Sequence, residues 1–276
     1  MRQNRFFVLV TVISLVFLLL PVNYLYGGEN ENIKGWINQL SDRRERATAK
    51  NMLIKAKEAA TAELINVLED EHAKSSVKVD IIQIFEINKT AEAIPVLKEL
   101  TNSPKRRLRL ASIKALGAME NKDLADIFKK AIKDSYGEAR LEAMSALMKL
   151  KDKSAVSNFI EALPDRYASI RMKALDALAL FKDKSAIPAL IKRLNDTNTS
   201  IVLKTIDILS NFKDKIVVEA LIKRLDTGNK PIKIRTIEAL AKIKDKSALP
   251  YLEPLLNDEY IGVRRAAKDA VNAING

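Results

Sequence analysis

A four-residue phrase, Lys-Asp-Lys-Ser, starts at Lys151, Lys182 and Lys244, and returns as Lys-Asp-Lys-Ile at Lys213. All four starts fall on one 31-residue spacing. A strict period of this size marks a stack of supersecondary units, none of which can bury its apolar face alone. The interval constrains architecture far more than function. Arrays of this kind present binding surfaces, and the repeat itself does not spell the partner.

Residues set 31 apart align most of the chain. One column reads Val77, Leu108, Ala139, Ile170, Ile201, Ile232, Val263; a second reads Ile84, Ala115, Ala146, Ala177, Ile208, Ala239, Ala270. A third runs Phe85, Leu116, Leu147, Leu178, Leu209, Leu240, Val271, and no polar residue interrupts any of the three. Ile170, Ala174, Leu175, Ala177 and Leu178 have the spacing of one helical face and define the second helix of a unit. Aromatics are only 5% of the chain, and its apolar bulk of Ala, Leu and Ile favours packed helices over sheet.

The first helix of each unit comes after the Lys-Asp-Lys turn. Ser185 is the expected N-cap of the stretch through Leu194, and Pro188 falls in the opening turn, where its missing N–H costs little. Pro95 and Pro250 share that column. Both helices of a unit are expected to run about three turns. A polar pair recurs inside this frame. Asp134, Asp165, Asp196 and Asp258 share a column in the inter-helix turn. Six residues on stand Arg140, Arg171 and Arg264, with Lys78, Arg109 and Lys233 in the same column and only Val202 breaking it. Asp in the turn can cap the second helix, and Arg can reach a neighbouring turn. Stacked, they would make a ladder of charge-assisted hydrogen bonds.

These features resemble the HEAT repeat family, especially its bacterial HEAT-like branch with repeats of the phycobilisome-lyase type. The match is carried by Pro188, Asp165, Ile170-Arg171 and Ala177-Leu178, and by Pro250, Asp258 and Val263-Arg264. It covers about residues 33 to 275. The resemblance implies an all-α fold: a right-handed α-α superhelix of about seven to eight 31-residue helix-turn-helix repeats, second helices lining the concave side. The array reads as 58–276, with 29–57 as N-terminal capping helices, where the only Trp, Trp36, is expected to pack as core.

Residues 1–28 are different in kind. Arg2 and Arg5 precede Phe6–Leu20, a largely apolar run of 15 residues. That run is shorter than the roughly 20 residues a spanning helix needs. The segment reads as a signal peptide, cleaved or retained as an inner-membrane anchor through residues 6–26, and it implies a periplasmic or other extracytoplasmic location. The formal charge of +12 leaves near +10 for the rest of the chain. Outside the cytoplasm such a surface meets anionic envelope polymers, lipid head groups or acidic proteins sooner than DNA. Cys is absent, which excludes disulfides, thiolate metal sites and a lipoprotein anchor.

Little in the chain suggests chemistry. His72 is the only histidine and sits in a turn. The paired His-Glu motifs by which HEAT-like arrays hold iron are missing, so no metal or other cofactor is expected. Glu69, Asp70 and Glu71 read as a solvated turn rather than an acid–base pair. Lys105, Arg106, Arg107 and Lys114 form a basic cluster, with Lys122, Lys129, Lys130 and Lys133 further on. Along the second helices Lys173, Lys204 and Arg235 make a column, but Asp176, Asp207 and Glu238 stand three residues further on. That self-neutralised face argues against nucleic acid and for a protein or peptide partner. The expectation is a non-enzymatic scaffold binding its partner through these six residues. The alternatives are a lyase-type accessory role, and binding of an anionic envelope polymer or membrane surface through Lys105–Lys133. The recurring Lys-Asp-Lys turns themselves read as the residue of duplication rather than a row of ligands.

Overall fold

The computed structural model describes residues 22–276, with side chains from residue 31. The described residues form sixteen α-helices and no strand. They fall into two compact units, the first ending at Met119 and the second spanning Glu120–Gly276.

In the first unit, helix Arg46–Ala56 packs on Ser75–Asn88, which packs on Arg106–Ala118. The opening helix, Val22–Gln39, runs through residues 28 and 29, where a boundary was expected. Trp36 is half-buried on that helix, and the core role expected of it falls to Ile33, Ile37 and Leu40. Among the described residues no helix is long and apolar enough to cross a membrane. The apolar run Phe6–Leu20 lies outside them.

In the second unit, helices Gly137–Leu150, Ala168–Phe181, Thr199–Leu209, Lys230–Ile243 and Ile261–Asn275 pack one on the next, and each carries its own first helix. Of the 21 positions in the three apolar columns, all are buried except Val271, which is half-buried in the last helix. A further column, Ile81, Ser112, Ala143, Ala174, Thr205, Thr236, Ala267, is wholly buried and small at every position after Ile81. Thr205 and Thr236 satisfy their hydroxyls by donating to the carbonyls of Ile201 and Ile232 at 2.7 and 2.8 Å.

The Lys-Asp-Lys phrase proves to be turn chemistry. The first Lys closes the second helix in the left-handed conformation: φ is 53° at Lys151, 52° at Lys182 and 61° at Lys244. Lys89 and Glu120 do the same on the same 31-residue register. The Asp then caps the 3₁₀ turn that opens the next unit. Asp152, Asp183 and Asp245 accept from the N–H groups of Ser154, Ser185 and Ser247 at 3.0, 2.8 and 2.9 Å. The cap is therefore Asp183 and not the expected Ser185, because the extended backbone of Asp183 aims its carboxylate at the amide two residues on. The first helix is also shorter than expected. A 3₁₀ turn, Lys184–Ala186, precedes a two-turn helix, Ile187–Arg193, whose opening turn holds Pro188.

Candidate functional site

Arg171 is held at the start of its helix, 11% exposed, against Asp196, 3% exposed. Nε and Nη2 each donate to one carboxylate oxygen at 2.9 Å, a bidentate pair. Nη1 donates to the carbonyl of Asp165 in its own turn at 2.8 Å. Arg140 also pairs with Asp165, but Nη2 alone donates, to Oδ1 at 3.1 Å, while Nε lies 2.9 Å from Oδ2 without forming a hydrogen bond; Nη1 donates to the Asp134 carbonyl at 2.6 Å. Lys233 reaches Asp258 at 3.2 Å, and Arg264 donates to the Asp258 carbonyl at 2.8 Å. In the first unit Lys78 donates to the Leu68 carbonyl at 2.7 Å, and burial pushes its ammonium pKa down despite the nearby Asp70 charge.

Each turn Asp does a second job. Asp134, Asp165, Asp196 and Asp258 accept from the N–H two residues on, at Tyr136, Tyr167, Asn198 and Tyr260. This closes a turn before the helix rather than capping the helix itself. Burial raises the pKa of Asp196. The bonds from Arg171 and the Asn198 N–H, with the Arg171 and Arg193 charges, reverse that and hold the carboxyl below its ordinary value.

In the second unit one rung is missing, and both of its ends are missing together. Arg140 pairs with Asp165, Arg171 with Asp196 and Lys233 with Asp258, always 25 residues on. Val202 would pair with Thr227. Val202 is buried, and Thr227 keeps the turn by accepting from the Asn229 N–H at 3.3 Å, but neither carries charge.

The six charged residues of the second helices lie together in the second unit. Lys204 meets Asp176 at 2.8 Å, and Arg235 meets Asp207 at 3.4 Å and Glu238 at 3.7 Å. Lys204 and Arg235 thus bridge back to the acid of the preceding second helix. Lys173 is half-buried, and the position it would bridge to is Ser145. The pairs are 38–54% exposed in their side chains, so they line a face open to solvent.

Lys105, Arg106 and Arg107 are exposed at the start of helix Arg106–Ala118, while Lys114 pairs with Glu86 at 3.6 Å. In the second unit Lys129 lies 3.2 Å from both Asp126 and Asp152, and Lys133 lies 2.8 Å from Glu161. Burial lowers the Lys129 pKa, and the two carboxylates more than offset it. His72, Glu69, Asp70 and Glu71 are exposed, with the His72 N–H bonded to Asp70. Among the described residues no group of three or more His, Cys, Asp or Glu side chains could hold a metal.

Two arginines carry no signal in the recurring columns. Arg193 donates to the Leu163 carbonyl and to Asp196, both at 3.4 Å. Arg224 stands 31 residues on, but its acid would be Thr227, and its buried Nε finds no partner. The sign that could have found them is a cation kept where its anion was lost.

A sequence profile described as HEAT repeats matches residues 61–148, 124–207 and 203–272. The chain belongs to the HEAT-repeat family. HEAT-repeat folds generally bind proteins. No curated protein matches the sequence significantly. Among solved structures, the Escherichia coli protein YIBA is 20% identical, with a TM-score of 0.61, over 91% of this HEAT-repeat chain and 96% of YIBA. Kap95p, in a structure with RanGDP, is 13% identical with a TM-score of 0.64, over 89% of this chain but only 39% of Kap95p. An engineered protein is 17% identical with a TM-score of 0.55, over 87% of this chain and 78% of its own. At such identities these likenesses concern the HEAT-type fold alone.

Proposed function

We propose that this HEAT-repeat chain is an exported, non-enzymatic scaffold that binds a protein or peptide along the second helices of its second unit. One observation carries the reading. Lys173, Asp176, Lys204, Asp207, Arg235 and Glu238 form an open stripe of alternating charge on helices whose opposite side is fixed in the core. A stripe that neutralises itself attracts neither polyanion nor polycation strongly. A partner must match its order of signs, so charge sets specificity more than affinity. The fold's likeness to Kap95p, which binds RanGDP, supports a protein partner of some kind. Export rests on Arg2, Arg5 and the apolar run Phe6–Leu20.

The test is a pull-down from envelope extract with the chain from residue 29 onward, repeated with the six charges reversed in sign. Loss of the captured proteins supports the stripe; an unchanged set refutes it. A parallel co-sedimentation with anionic vesicles, using Lys105, Arg106 and Arg107 changed to Ala, separates the two surfaces. Binding lost only there would transfer the function to the basic cluster. Detection of the chain in the cytoplasmic fraction would refute export.

A further inference from the structure

Two of the departures from the repeat in the second unit feed one groove. Where the phrase Lys-Asp-Lys-Ser becomes Lys-Asp-Lys-Ile, the residue changed is Ile216, which is 49% exposed. Where the turn Asp is lost, at Thr227, the residue orphaned is Arg224. Both side chains line a groove of about 400 Å³ between first helices Ile187–Arg193 and Lys215–Arg224. Pro188, Ile191 and Ala220 supply more apolar wall, and Lys192 and Lys223 stand on the rim. The groove's only acid, Glu219, faces Lys215 at 3.9 Å. The groove is therefore apolar at its floor, basic at its edge, and holds a guanidinium whose Nε is desolvated without compensation.

An unpaired guanidinium in a partly desolvated groove is costly, and the preceding repeat differs there. There the guanidinium of Arg193 has an acid in reach, its Nη1 donating to Asp196 and to the Leu163 carbonyl, both at 3.4 Å. Evolution could have restored an acid at position 227 by a single turn residue. Three cations, Lys192, Lys223 and Arg224, against the one acid Glu219 make the lining complementary to an anion supplied from outside. We propose that this groove binds an acidic peptide segment of a partner protein, seating an aliphatic side chain on Ile191 and Ile216 and a carboxylate on Arg224. The groove belongs to the first helices, so it stands or falls separately from the second-helix stripe.

The variants are written into the protein's own repeats. Ile216→Ser restores the phrase found at Ser154, Ser185 and Ser247, and Thr227→Asp restores the acid found at Asp196. Both should fold, since neighbouring repeats carry these residues. Fluorescein-labelled decapeptides with Leu-Glu-Leu, Leu-Gln-Leu or Leu-Lys-Leu at their centre serve as probes in anisotropy titrations. The Glu peptide should bind about tenfold or more tightly than the Gln peptide, the difference of one charge-assisted contact. Ile216→Ser, Thr227→Asp and Arg224→Met should each weaken it by a similar factor. Reversing Lys204 and Arg235 to Glu should leave it unchanged. Equal affinity for Glu and Gln peptides, or full affinity in Arg224→Met, overturns the proposal. So does an equal loss on reversing the second-helix charges, which would mark general electrostatic attraction. A ligand-free readout adds to this. Arg193→Met should lower thermal stability and Arg224→Met should not; comparable losses would make Arg224 a structural residue and overturn its role in the groove.

Discussion

Two consecutive stretches of the second unit are built on one register and solve the same problems differently. In Ala168–Asp196 the second helix runs fourteen residues and ends on a left-handed Lys182. Asp183 caps the next turn, and Arg171 locks onto Asp196. In Thr199–Thr227 the second helix stops after eleven residues. Ser210 and Asn211 take the terminal carbonyls of Asp207 and Ile208, and Lys242 from the next repeat binds both side chains. Lys213 is not left-handed, Lys215–Arg224 forms without a 3₁₀ turn, and the ladder rung is absent. The reason is local. Ser and Asn compete with the helix for backbone hydrogen bonds, and they end it early. The register is thus kept by the apolar columns, while the polar devices are exchangeable. Val202 and Thr227 changed as a pair, so the ladder behaves as a set of independent rungs.

The largest effect should come from forcing one solution onto the other. Arg171→Val alone leaves Asp196 buried without its bidentate partner, and should cost about 3 kcal/mol in denaturant unfolding. Asp196→Thr alone strands the guanidinium and should cost a similar amount. The double change reproduces the Val202/Thr227 state, with Arg193 left without its acid as Arg224 is, and should still cost less than either single change, a favourable coupling. Additive losses would show that the missing rung is tolerated for some other reason. The same pair sets an acid response. The folded pKa of Asp196 is depressed, so its contribution is fully present above the ordinary carboxylate value and is lost as pH falls through the folded value. Between pH of about 5 and 3, stability should therefore fall less steeply in the double variant than in the wild type.

A medium effect tests the helix ends. Lys182 carries a side chain at φ 52°, where glycine has no steric penalty. Lys182→Gly should raise stability by up to about 1 kcal/mol, and Lys244→Gly likewise. Lys213 occupies the same column without positive φ, so Lys213→Gly should lower stability by about 0.5 kcal/mol through added freedom in the unfolded chain. Same-signed changes at 182 and 213 would refute the structural difference.

How far the sequence announced this molecule depends on the kind of interaction. The apolar columns were legible because burial is insensitive to detail; only Val271, in the final helix, failed to be buried. The ladder was legible by residue type and position, since an Arg six residues after an Asp has few other partners in a stacked repeat. The cap was misread because Asp183 and Ser185 are both good caps two residues apart, and only the backbone angle at Asp183 decides between them. The length of the first helix was misread because a Pro near a helix start does not say whether a 3₁₀ turn precedes it. Arg224 went unseen because a register is traced through residues that recur, while its meaning comes from Thr227, a residue that fails to.

The smallest expected effect bears most directly on function. Lys204 and Asp176 lie 2.8 Å apart but remain 38% and 41% exposed, so water and salt screen them. Lys204→Ala should change stability by no more than about 0.5 kcal/mol, and added salt should erase even that. The buried rung at Arg171 and Asp196 should respond much less to salt, because solvent ions do not enter it. A loss above about 2 kcal/mol at Lys204 would make the stripe part of the scaffold. A negligible loss leaves the stripe able to exchange its internal partners for external ones. Surface pairs this weak can open at little cost when a partner presents the complementary order of charge, whereas the ladder cannot.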